Sequence, residues 1–366
     1  DGISEWIAEG AAADPELRRQ CAAQRKSVGA DDVSDILFTS GTTGRAKGVV
    51  TTHGQNLKAF TTFADILGLD ADDRYLIINP FFHSFGYKAG WLAALLKGAT
   101  VYPMAIFDVP AVLDAIKTQA ITVMPGPPTL FQSILMHPEL QPADIATLKK
   151  ATTGAAVIPT QLIVDMRHTL GIDTVITAYG LSETCGLVTM CRQGDSPDVI
   201  AHTSGRAIPE VEVAIMDADG RICDADEPGE IVVRGYNVMT GYFNNPEATA
   251  DTIDTDGWLH TGDIGTLDVD GNIRITDRLK DMFISGGFNC YPAEIENQLL
   301  QHESVAQVAV IGMPDERMGE VCAAFVVPTP NSGINDASLI AWSREHMANY
   351  KVPRRVIFAD ALPLNA

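Results

Sequence analysis

The sequence has 366 residues, of which 46% are hydrophobic, enough for one large domain and a smaller one with hydrophobic cores of their own. Lys and Arg number 26 against 47 Asp and Glu, so the net charge is -21. This charge argues against nucleic acid as a partner, and it requires that any anionic ligand be held locally by backbone N–H groups and a few cations.

The part of the chain up to about residue 190 alternates short apolar runs with longer amphipathic stretches. The predicted strands are 36–38, 75–78, 121–124 and 175–177, and the predicted helices between them include 109–119 and 159–170. Strands that alternate with helices are typical of the α/β class. From about 205 to 276, short β runs broken by Asp-Gly and Pro-Gly turns predict an antiparallel, β-barrel-like region.

After Arg278 the pattern changes again and predicts a compact α+β unit. Its predicted helices and strands are 292–301, 306–311, 321–327 and 336–347. We place the domain boundary at the hinge segment 278–281. The prediction is thus a large domain of residues 1–277 followed by a small mobile domain of residues 278–366.

The first predicted strand runs into a segment rich in glycine and hydroxyl side chains. Its residues are Thr39, Ser40, Gly41, Thr42, Thr43, Gly44, Arg45, Ala46, Lys47 and Gly48. Glycines let backbone N–H groups approach a polyphosphate closely, hydroxyls donate further hydrogen bonds, and Lys47 supplies a positive charge. A plain Gly/Thr turn is the alternative. A Walker loop does not fit, because Gly48 stands where that motif has Ser or Thr. We therefore predict a phosphate-binding loop of another type.

This segment resembles the signature of the adenylate-forming superfamily, which contains acyl-CoA synthetases, peptide-synthetase adenylation domains and firefly luciferases. The resemblance extends over residues 30 to 366, and its motifs recur in the family's order. It implies a large and a small domain, ATP and coenzyme A as co-substrates, Mg²⁺, and a small-molecule carboxylic acid that is activated as its acyl adenylate. The implied catalytic residues include Lys47.

Three further blocks carry the resemblance in the large domain. His83, in the aromatic segment 80–86, is implied to lie beside the acyl carboxylate and the α-phosphate, although a lone His among aromatics is usually structural. Ser182 stands where the family has Thr, and it keeps the hydroxyl. Glu183 is the implied Mg²⁺ ligand, with a structural ion pair as the alternative. The implied nucleotide contacts also include Gly154, Ala155, Ala156, Thr177, Ala178, Tyr179 (stacked on adenine) and Gly180.

Asp263 and Arg278 flank a predicted hairpin with Asp270-Gly271 at its tip. A two-residue loop places Asp263 opposite Arg278. We prefer a three-residue loop, in which Leu267 and Val269 share a face with Ile275 and Ile273. In both registers the acid and the base come within one residue of each other. The resemblance implies that they hold the ribose hydroxyls and the ribose or phosphate, and a simple cross-strand ion pair is the alternative.

Two features of the small domain are also given by the resemblance. Lys280 occupies the hinge position. The glycine loop that follows is implied to line the coenzyme A tunnel, although a tight turn alone also accounts for its two glycines. The implied contacts in this loop are Gly286, Gly287, Phe288 and Asn289.

The resemblance also predicts that the sequence is a fragment. Family members carry a longer segment before the phosphate loop, and a Gly-Lys whose lysine serves adenylation is expected just after Ala366. The fragment alone is therefore expected to adenylate poorly. The cysteines and histidines show no zinc or disulfide spacing, which favours a reducing cytoplasm. No transmembrane segment is predicted, and a homodimer is left open.

Segments 78–90, 125–135 and 275–294 resemble actinobacterial ligases that activate a steroid-derived ring propanoate. A medium or long fatty acid is the alternative substrate. A fatty acyl-AMP ligase serving a carrier protein would carry an insertion near residue 277, and none is present. A non-catalytic nucleotide-binding module and a luciferase-like oxidase are rival readings, and no sequence feature favours the oxidase.

Overall fold

A computed structural model describes residues 14–39, 46–81, 83–138, 140–154, 158–279, 281–285, 288–330 and 332–363. The α-helices are α1 Pro15–Ser27, α2 His53–Leu67, α3 Ala93–Lys97, α4 Val109–Gln119, α5 Pro128–Leu135, α6 Thr160–His168, α7 Pro197–His202, α8 Pro246–Thr252, α9 Pro292–Leu299 and α10 Asp336–His346. A π-helix covers Phe85–Leu92, and 3₁₀ turns cover Pro142–Ile145 and Ser182–Thr184.

The strands in the first half of the chain are β1 Val33–Thr39, β2 Lys47–Thr52, β3 Arg74–Ile77, β4 Thr100–Pro103, β5 Val123–Pro125, β6 Lys150–Thr152, β7 Thr174–Ile176, β8 Ala178–Tyr179 and β9 Thr189–Met190. Those in the second half are β10 Arg206–Ala207, β11 Val211–Met216, β12 Gly229–Gly235, β13 Gly241–Tyr242, β14 Leu259–Leu267, β15 Ile273–Arg278, β16 Phe283–Ser285, β17 Phe288–Cys290, β18 Val305–Asp315, β19 Gly319–Pro328 and β20 Arg355–Phe358. The four predicted N-terminal strands and the two predicted helices among them are confirmed, with ends displaced by a few residues.

A parallel sheet in the order β4-β3-β5-β6-β7 forms the centre of the large α/β part. Its strands are short and apolar, and helices cover them, which is why the sheet is buried. Large side chains of the core include Phe60, Phe63, Tyr75 and Phe131, each at most 1% exposed. Because the strands are parallel, the carboxyl ends of β3, β6 and β7 lie at the same end of the sheet. Open α/β sheets bind ligands at this end.

Antiparallel sheets make up the rest of the large part, as the turn-rich pattern predicts. The strand orders are β1-β2-β13, β10-β9-β8 and β11-β12-β14-β15. Helix α2 begins directly after β2, and Thr52 and Gln55 form a capping box there. Strand β2 pairs with β1 on one side and with β13 on the other, and its last residue caps α2.

The C-terminal α+β unit is built on the antiparallel order β17-β16-β19-β18, with β20 added parallel to β19. It has a hydrophobic core of its own, which includes Phe283, Ile295, Val310, Val326 and Leu339. The predicted helices and strands of this unit are confirmed, and β18 is longer than predicted. Among the described residues, no helix is long and apolar enough to cross a membrane.

Candidate active site

The phosphate-loop segment is closed at its base by the β1–β2 hairpin. Thr39 pairs with Lys47 across the two strands, and the Thr39 hydroxyl donates to the Lys47 carbonyl oxygen at 3.4 Å. The predicted contacts Ser40, Gly41, Thr42, Thr43 and Gly44 lie outside the described residues. The hairpin register thus fixes where both ends of the loop leave the sheet.

Lys47 is joined to Glu183 through one tyrosine. The Lys47 Nζ lies 4.7 Å from the centre of the Tyr242 ring, a cation–π distance. The Tyr242 hydroxyl donates to Glu183 Oε1 at 2.8 Å. Burial and the adjacent Glu183 carboxylate raise the pKa of Tyr242 above its usual range, so its hydroxyl remains a donor. One rigid side chain thereby contacts a cation at its ring face and a carboxylate at its hydroxyl.

Sequence reasoning missed Tyr242. It lies in β13, whose two residues pair with Val50 and Val49 of β2. A two-residue strand carries no periodicity that could reveal it. The pairing with β2 is what brings Tyr242 beside Lys47.

The backbone around Glu183 is fixed by local hydrogen bonds. The Thr184 hydroxyl oxygen accepts from the Leu181 N–H at 3.1 Å, and Met239 N–H donates to the Glu183 carbonyl at 2.8 Å. Gly180 cannot be replaced easily, because a Cβ there would lie 2.3 Å from the Gly186 carbonyl oxygen. Ser182 begins the 3₁₀ turn and is half-buried. The turn presents Glu183 toward Tyr242.

His83 lies just before the π-helix and is exposed. Its Nδ1 accepts from the Phe85 N–H at 3.2 Å, so a neutral ring carries its proton on Nε2. The next residue packs close to the turn that follows Glu183, since a Cβ on Gly186 would lie 3.4 Å from the Ser84 Cβ. The predicted His83 and Glu183 segments are therefore neighbours.

A second group of polar side chains gathers around Asp263. The Tyr179 hydroxyl donates to Asp263 Oδ2 at 2.6 Å, and Arg278 Nε lies 3.5 Å from Asp263 Oδ1. Burial, together with the negative charge of Asp263, raises the pKa of Tyr179. The predicted nucleotide contacts Tyr179, Asp263 and Arg278 thus form one cluster, with the aromatic ring and the acid directly linked.

Asp263 pairs directly with Arg278 across β14 and β15, but the preferred register of the hairpin is wrong. Leu267 pairs with Ile273, and an irregularity between Ile264 and Gly265 shifts the register before Asp263 is reached. Val269 lies in the turn and is 84% exposed, so it does not share the apolar face.

The physical reason lies in Asp268. Its carboxylate accepts from the N–H groups of Asp270 and Asn272 and from the Asn272 side chain, at 2.8 to 2.9 Å. This bonding moves the loop one residue toward the N-terminus, to Val269–Gly271. The predicted register was based on the apolar positions alone and did not include the hydrogen bonds that Asp268 accepts within the turn.

Other predicted contacts have varied surroundings. Gly154 lies beside Ala178, since a Cβ on Gly154 would be 4.0 Å from the Ala178 carbonyl oxygen. Thr177 is buried, and its hydroxyl donates to the Thr203 carbonyl at 3.0 Å. Thr177 therefore supports the strand that precedes Tyr179, rather than offering its hydroxyl to a ligand. Ala155 and Ala156 lie outside the described residues.

In the C-terminal unit, Phe288 is 57% exposed and stacks on Tyr350 with ring centres 4.6 Å apart. Lys280, Gly286, Gly287 and the Asn289 side chain lie outside the described part of the chain. Just before the predicted hinge segment, Asp277 is buried, and its carboxylate accepts from Ala293 N–H at 2.8 Å in the first turn of α9. Sequence reasoning missed this link between β15 and the C-terminal unit.

Within the described ranges, no group of three or more His, Cys, Asp or Glu side chains is placed to form a protein-only metal site. Glu183 offers a half-buried carboxylate close to Lys47. Mg²⁺ is commonly bound by one or two carboxylates together with water and phosphate oxygens. Glu183 therefore fits the predicted magnesium role.

Comparison with known proteins confirms the family resemblance that the sequence motifs predict. The model of the AMP-binding enzyme family matches residues 3–243, and the model of the AMP-binding enzyme C-terminal domain matches residues 294–366. The chain belongs to the AMP-binding enzyme family. Among curated relatives of this family, the 3-[(3aS,4S,7aS)-7a-methyl-1,5-dioxo-octahydro-1H-inden-4-yl]propanoyl:CoA ligase of Rhodococcus jostii is 54% identical over 97% of this chain and 67% of its own length. The ligase of the same name from Mycobacterium tuberculosis is 53% identical over 99% of this chain and 69% of its own length.

Solved structures of AMP-binding enzymes share the fold. ATP-bound MatB from Rhodopseudomonas palustris superposes with a TM-score of 0.84 at 32% identity, over 92% of this chain and 66% of that one. The chain thus spans about two thirds of the length of the relatives it matches. Its relatives place it among the ATP-dependent acyl-CoA ligases, with ATP, coenzyme A and a carboxylic acid as substrates.

Proposed function

We propose that this chain is part of an ATP-dependent acid:coenzyme A ligase whose substrate is a propanoate carried on a fused, partly oxidised hydrindane ring system. The observation that carries the proposal is identity of 53% or more, along nearly the whole chain, to two ligases named for that acid. A medium or long fatty acid is the alternative substrate. In both cases the acid's carboxylate is the reacting group.

In the first half-reaction, the carboxylate attacks the α-phosphorus of ATP, and pyrophosphate leaves. Lys47 supplies positive charge beside the phosphates, and His83 lies at the carboxylate. Mg²⁺ bound through Glu183 would neutralise phosphate charge. Catalysis of this kind depends on position and charge rather than on a covalent enzyme intermediate. The Lys47–Tyr242–Glu183 arrangement supports these roles.

The nucleoside is proposed to bind at the second cluster. Asp263 takes the ribose hydroxyls, Arg278 takes ribose or phosphate, and the Tyr179 ring stacks on adenine, with its hydroxyl tied to Asp263. The remaining proposed nucleotide contacts are Thr39, Ser40, Gly41, Thr42, Thr43, Gly44, Gly154, Ala155, Ala156, Thr177, Ala178, Gly180 and Ser182. Of these, Thr177 acts through the backbone, since its hydroxyl is already bonded.

In the second half-reaction, the coenzyme A thiol attacks the acyl carbonyl, and AMP leaves. The segment of Gly286, Gly287, Phe288 and Asn289 is proposed to line the path of the thiol, and Lys280 is proposed as the pivot between large domain 1–277 and small domain 278–366. Exposure of Phe288 supports this role, since an exposed aromatic ring is available to a ligand.

The test is acyl-CoA formation by the full-length protein with a panel of acids. The panel contains the hydrindanedione propanoate, a medium-chain and a long-chain fatty acid, and an aromatic acid. We expect AMP and acyl-CoA, with the highest kcat/KM for the ring propanoate. A higher kcat/KM for a fatty acid would transfer the assignment to that class. Adenylate formation without transfer to coenzyme A would favour a carrier-loading ligase, and no AMP with any acid would favour an inert nucleotide-binding module.

The proposal also includes an expected cellular location and a possible oligomeric state. A cytoplasmic location is supported by the use of ATP and coenzyme A, and fluorescence of a tagged full-length protein tests it. A homodimer, which the resemblance leaves open, is tested by light scattering of the same protein.

A further inference from the structure

Between β1 and the π-helix lies a buried ion pair that the proposed reaction does not use directly. The Lys88 side chain in the π-helix is 0% exposed, and its Nζ lies 3.2 Å from Asp35 Oδ1 in β1. Asp35 is 13% exposed. A lysine is almost never fully buried unless it is paired, so this arrangement requires an explanation beyond packing.

The pair is embedded in a network of directional hydrogen bonds. Lys88 Nζ donates to Thr51 Oγ1 at 3.3 Å, and the Thr51 hydroxyl donates to Asp35 Oδ1 at 2.9 Å. Asn56 Nδ2 donates to Asp35 Oδ2 at 2.7 Å and to Thr51 Oγ1 at 3.1 Å. The Tyr87 hydroxyl donates to Asp35 Oδ2 at 3.4 Å. Each oxygen of the carboxylate is therefore held from at least two directions.

The partners come from the segments that carry the site. Asp35 lies in β1, which runs into the phosphate loop, and Thr51 lies in β2, which begins at Lys47. Lys88 lies in the π-helix, which begins shortly after His83. Cys185, directly after the Ser182–Thr184 turn, is close enough for the charges of Lys88 and Asp35 to act on its thiol. The pair thus joins the strands on both sides of the phosphate loop to the helix that follows His83, and its charges act on the thiol next to the Glu183 turn.

Packing alone does not account for a lysine here. Replacing a buried ion pair with apolar groups of similar volume is often neutral or stabilising, because two charges must be taken out of water to form the pair. The directional bonds of Lys88 and Asp35 define where β1, β2 and the π-helix meet.

We propose that Lys88 is a positioning residue for the adenylation step, joining the phosphate-loop hairpin to the helix that follows His83. This inference rests on the proposed function. It predicts that Lys88 matters for attack on ATP, which uses the phosphate loop. It matters little for transfer of a finished acyl adenylate to coenzyme A.

The test uses the full-length enzyme and compares the two half-reactions. The principal variant is Lys88→Met combined with Asp35→Asn, which leaves no unpaired charge in the core. We expect its adenylation rate to fall by about tenfold to a hundredfold, the effect of displacing reacting groups by about an ångström. Transfer from supplied acyl adenylate to coenzyme A should change by less than about threefold. Lys88→Arg, which keeps the charge, should restore part of the adenylation rate.

The matched control is Lys150→Met combined with Asp73→Asn. That pair is also poorly exposed, with 2.6 Å between Lys150 Nζ and Asp73 Oδ2. It lies at the amino ends of β3 and β6, away from the carboxyl ends where ligands are expected to bind. The control should leave the ratio of the two half-reactions unchanged. Equal loss of both half-reactions in the Lys88 variant, or no loss of either, would overturn the inference.

A milder variant covers the case in which the double variant does not fold. Thr51→Val keeps the shape of the side chain and removes the hydroxyl that bridges Lys88 and Asp35. It should slow adenylation several-fold with thiol transfer unchanged, and an unchanged ratio would contradict the inference. If the wild-type enzyme forms no acyl adenylate with any acid, the proposed function fails instead, so the two failures are distinguishable.

Discussion

The two halves of the candidate site are held in place by different means. On the phosphate side, Lys47 begins a strand, and His83 directly precedes a helix, that the Lys88–Asp35 network joins, and the lysine of this network is fully buried. On the ribose side, Asp263 and Arg278 meet across a hairpin, and the Arg278 side chain is 69% exposed. The first half depends on buried charge and the second on backbone register. Substitutions should therefore affect folding strongly in the first half and weakly in the second.

The largest effect is expected for Lys88→Met on its own. It leaves Asp35 buried without its counter-ion, and breaking a buried pair in this way costs about 3–5 kcal/mol of unfolding free energy. Urea unfolding of the full-length protein measures the loss. Lys97→Met is the control, since Lys97 pairs with the exposed Asp65, and it should cost less than about 1 kcal/mol. Similar losses in the two variants would show that burial of the Lys88–Asp35 pair adds nothing to the stability of the phosphate side.

Tyr242→Phe, also on the phosphate side, should have the next largest effect, on activity as well as on folding. It keeps the ring under Lys47 but removes the bond to Glu183, and a hydrogen bond to a charged group is worth about 1.5–3 kcal/mol. Adenylation should slow by about tenfold to a hundredfold. Tyr236→Phe is the control, because its ring also lies under a lysine, with Lys58 Nζ 4.2 Å from the ring centre. Equal rates for the two variants would show that the Tyr242 hydroxyl does not orient Glu183.

Arg278→Met should separate binding from folding on the ribose side. Because the ion pair with Asp263 is long and exposed on the arginine side, its loss should change the unfolding free energy by less than about 1 kcal/mol. The KM for ATP should nevertheless rise several-fold, since the guanidinium is proposed to contact the nucleotide. Denaturant unfolding and ATP–pyrophosphate exchange on one preparation give both values. A large loss of stability with unchanged KM would reverse the assignment.

The smallest effect concerns the turn that sets the hairpin register. Burial would raise the pKa of Asp268, but hydrogen bonds from Asn272 and the backbone outweigh it and lower this pKa. The ionised form is thus favoured by folding. Its contribution is complete above the unfolded-state pKa of about 3.9 and is lost as pH falls through the lower folded value.

Urea midpoints between pH 2 and 6 should therefore fall less steeply on acidification in Asp268→Asn than in the wild type. Asp270→Asn, in the same turn, serves as the control and should follow the wild-type profile. A steeper fall in Asp268→Asn would contradict the role of this carboxylate in setting the register.

The sequence predicted those features of the fold and the site that leave a local pattern, and it missed those that depend on contacts between distant residues. Apolar runs and turns give the order of strands and helices, and matched motifs bring Tyr179, Asp263 and Arg278 to one cluster. Lys88 and Tyr242 were not predicted, because a lysine in an aromatic segment and a two-residue strand carry no local signal of what they contact. The hairpin register was missed for a related reason: the side-chain bonds of Asp268 outweighed the apolar pattern.

The most direct test of the central claim follows the carboxylate oxygen. The full-length enzyme is supplied with ATP, coenzyme A and the hydrindanedione propanoate labelled with ¹⁸O in its carboxylate, and the products are analysed by mass spectrometry. Attack of the carboxylate on the α-phosphorus predicts that one ¹⁸O atom appears in AMP and none in pyrophosphate. Label in phosphate or pyrophosphate, or acyl-CoA formed without labelled AMP, would contradict the acyl-adenylate account.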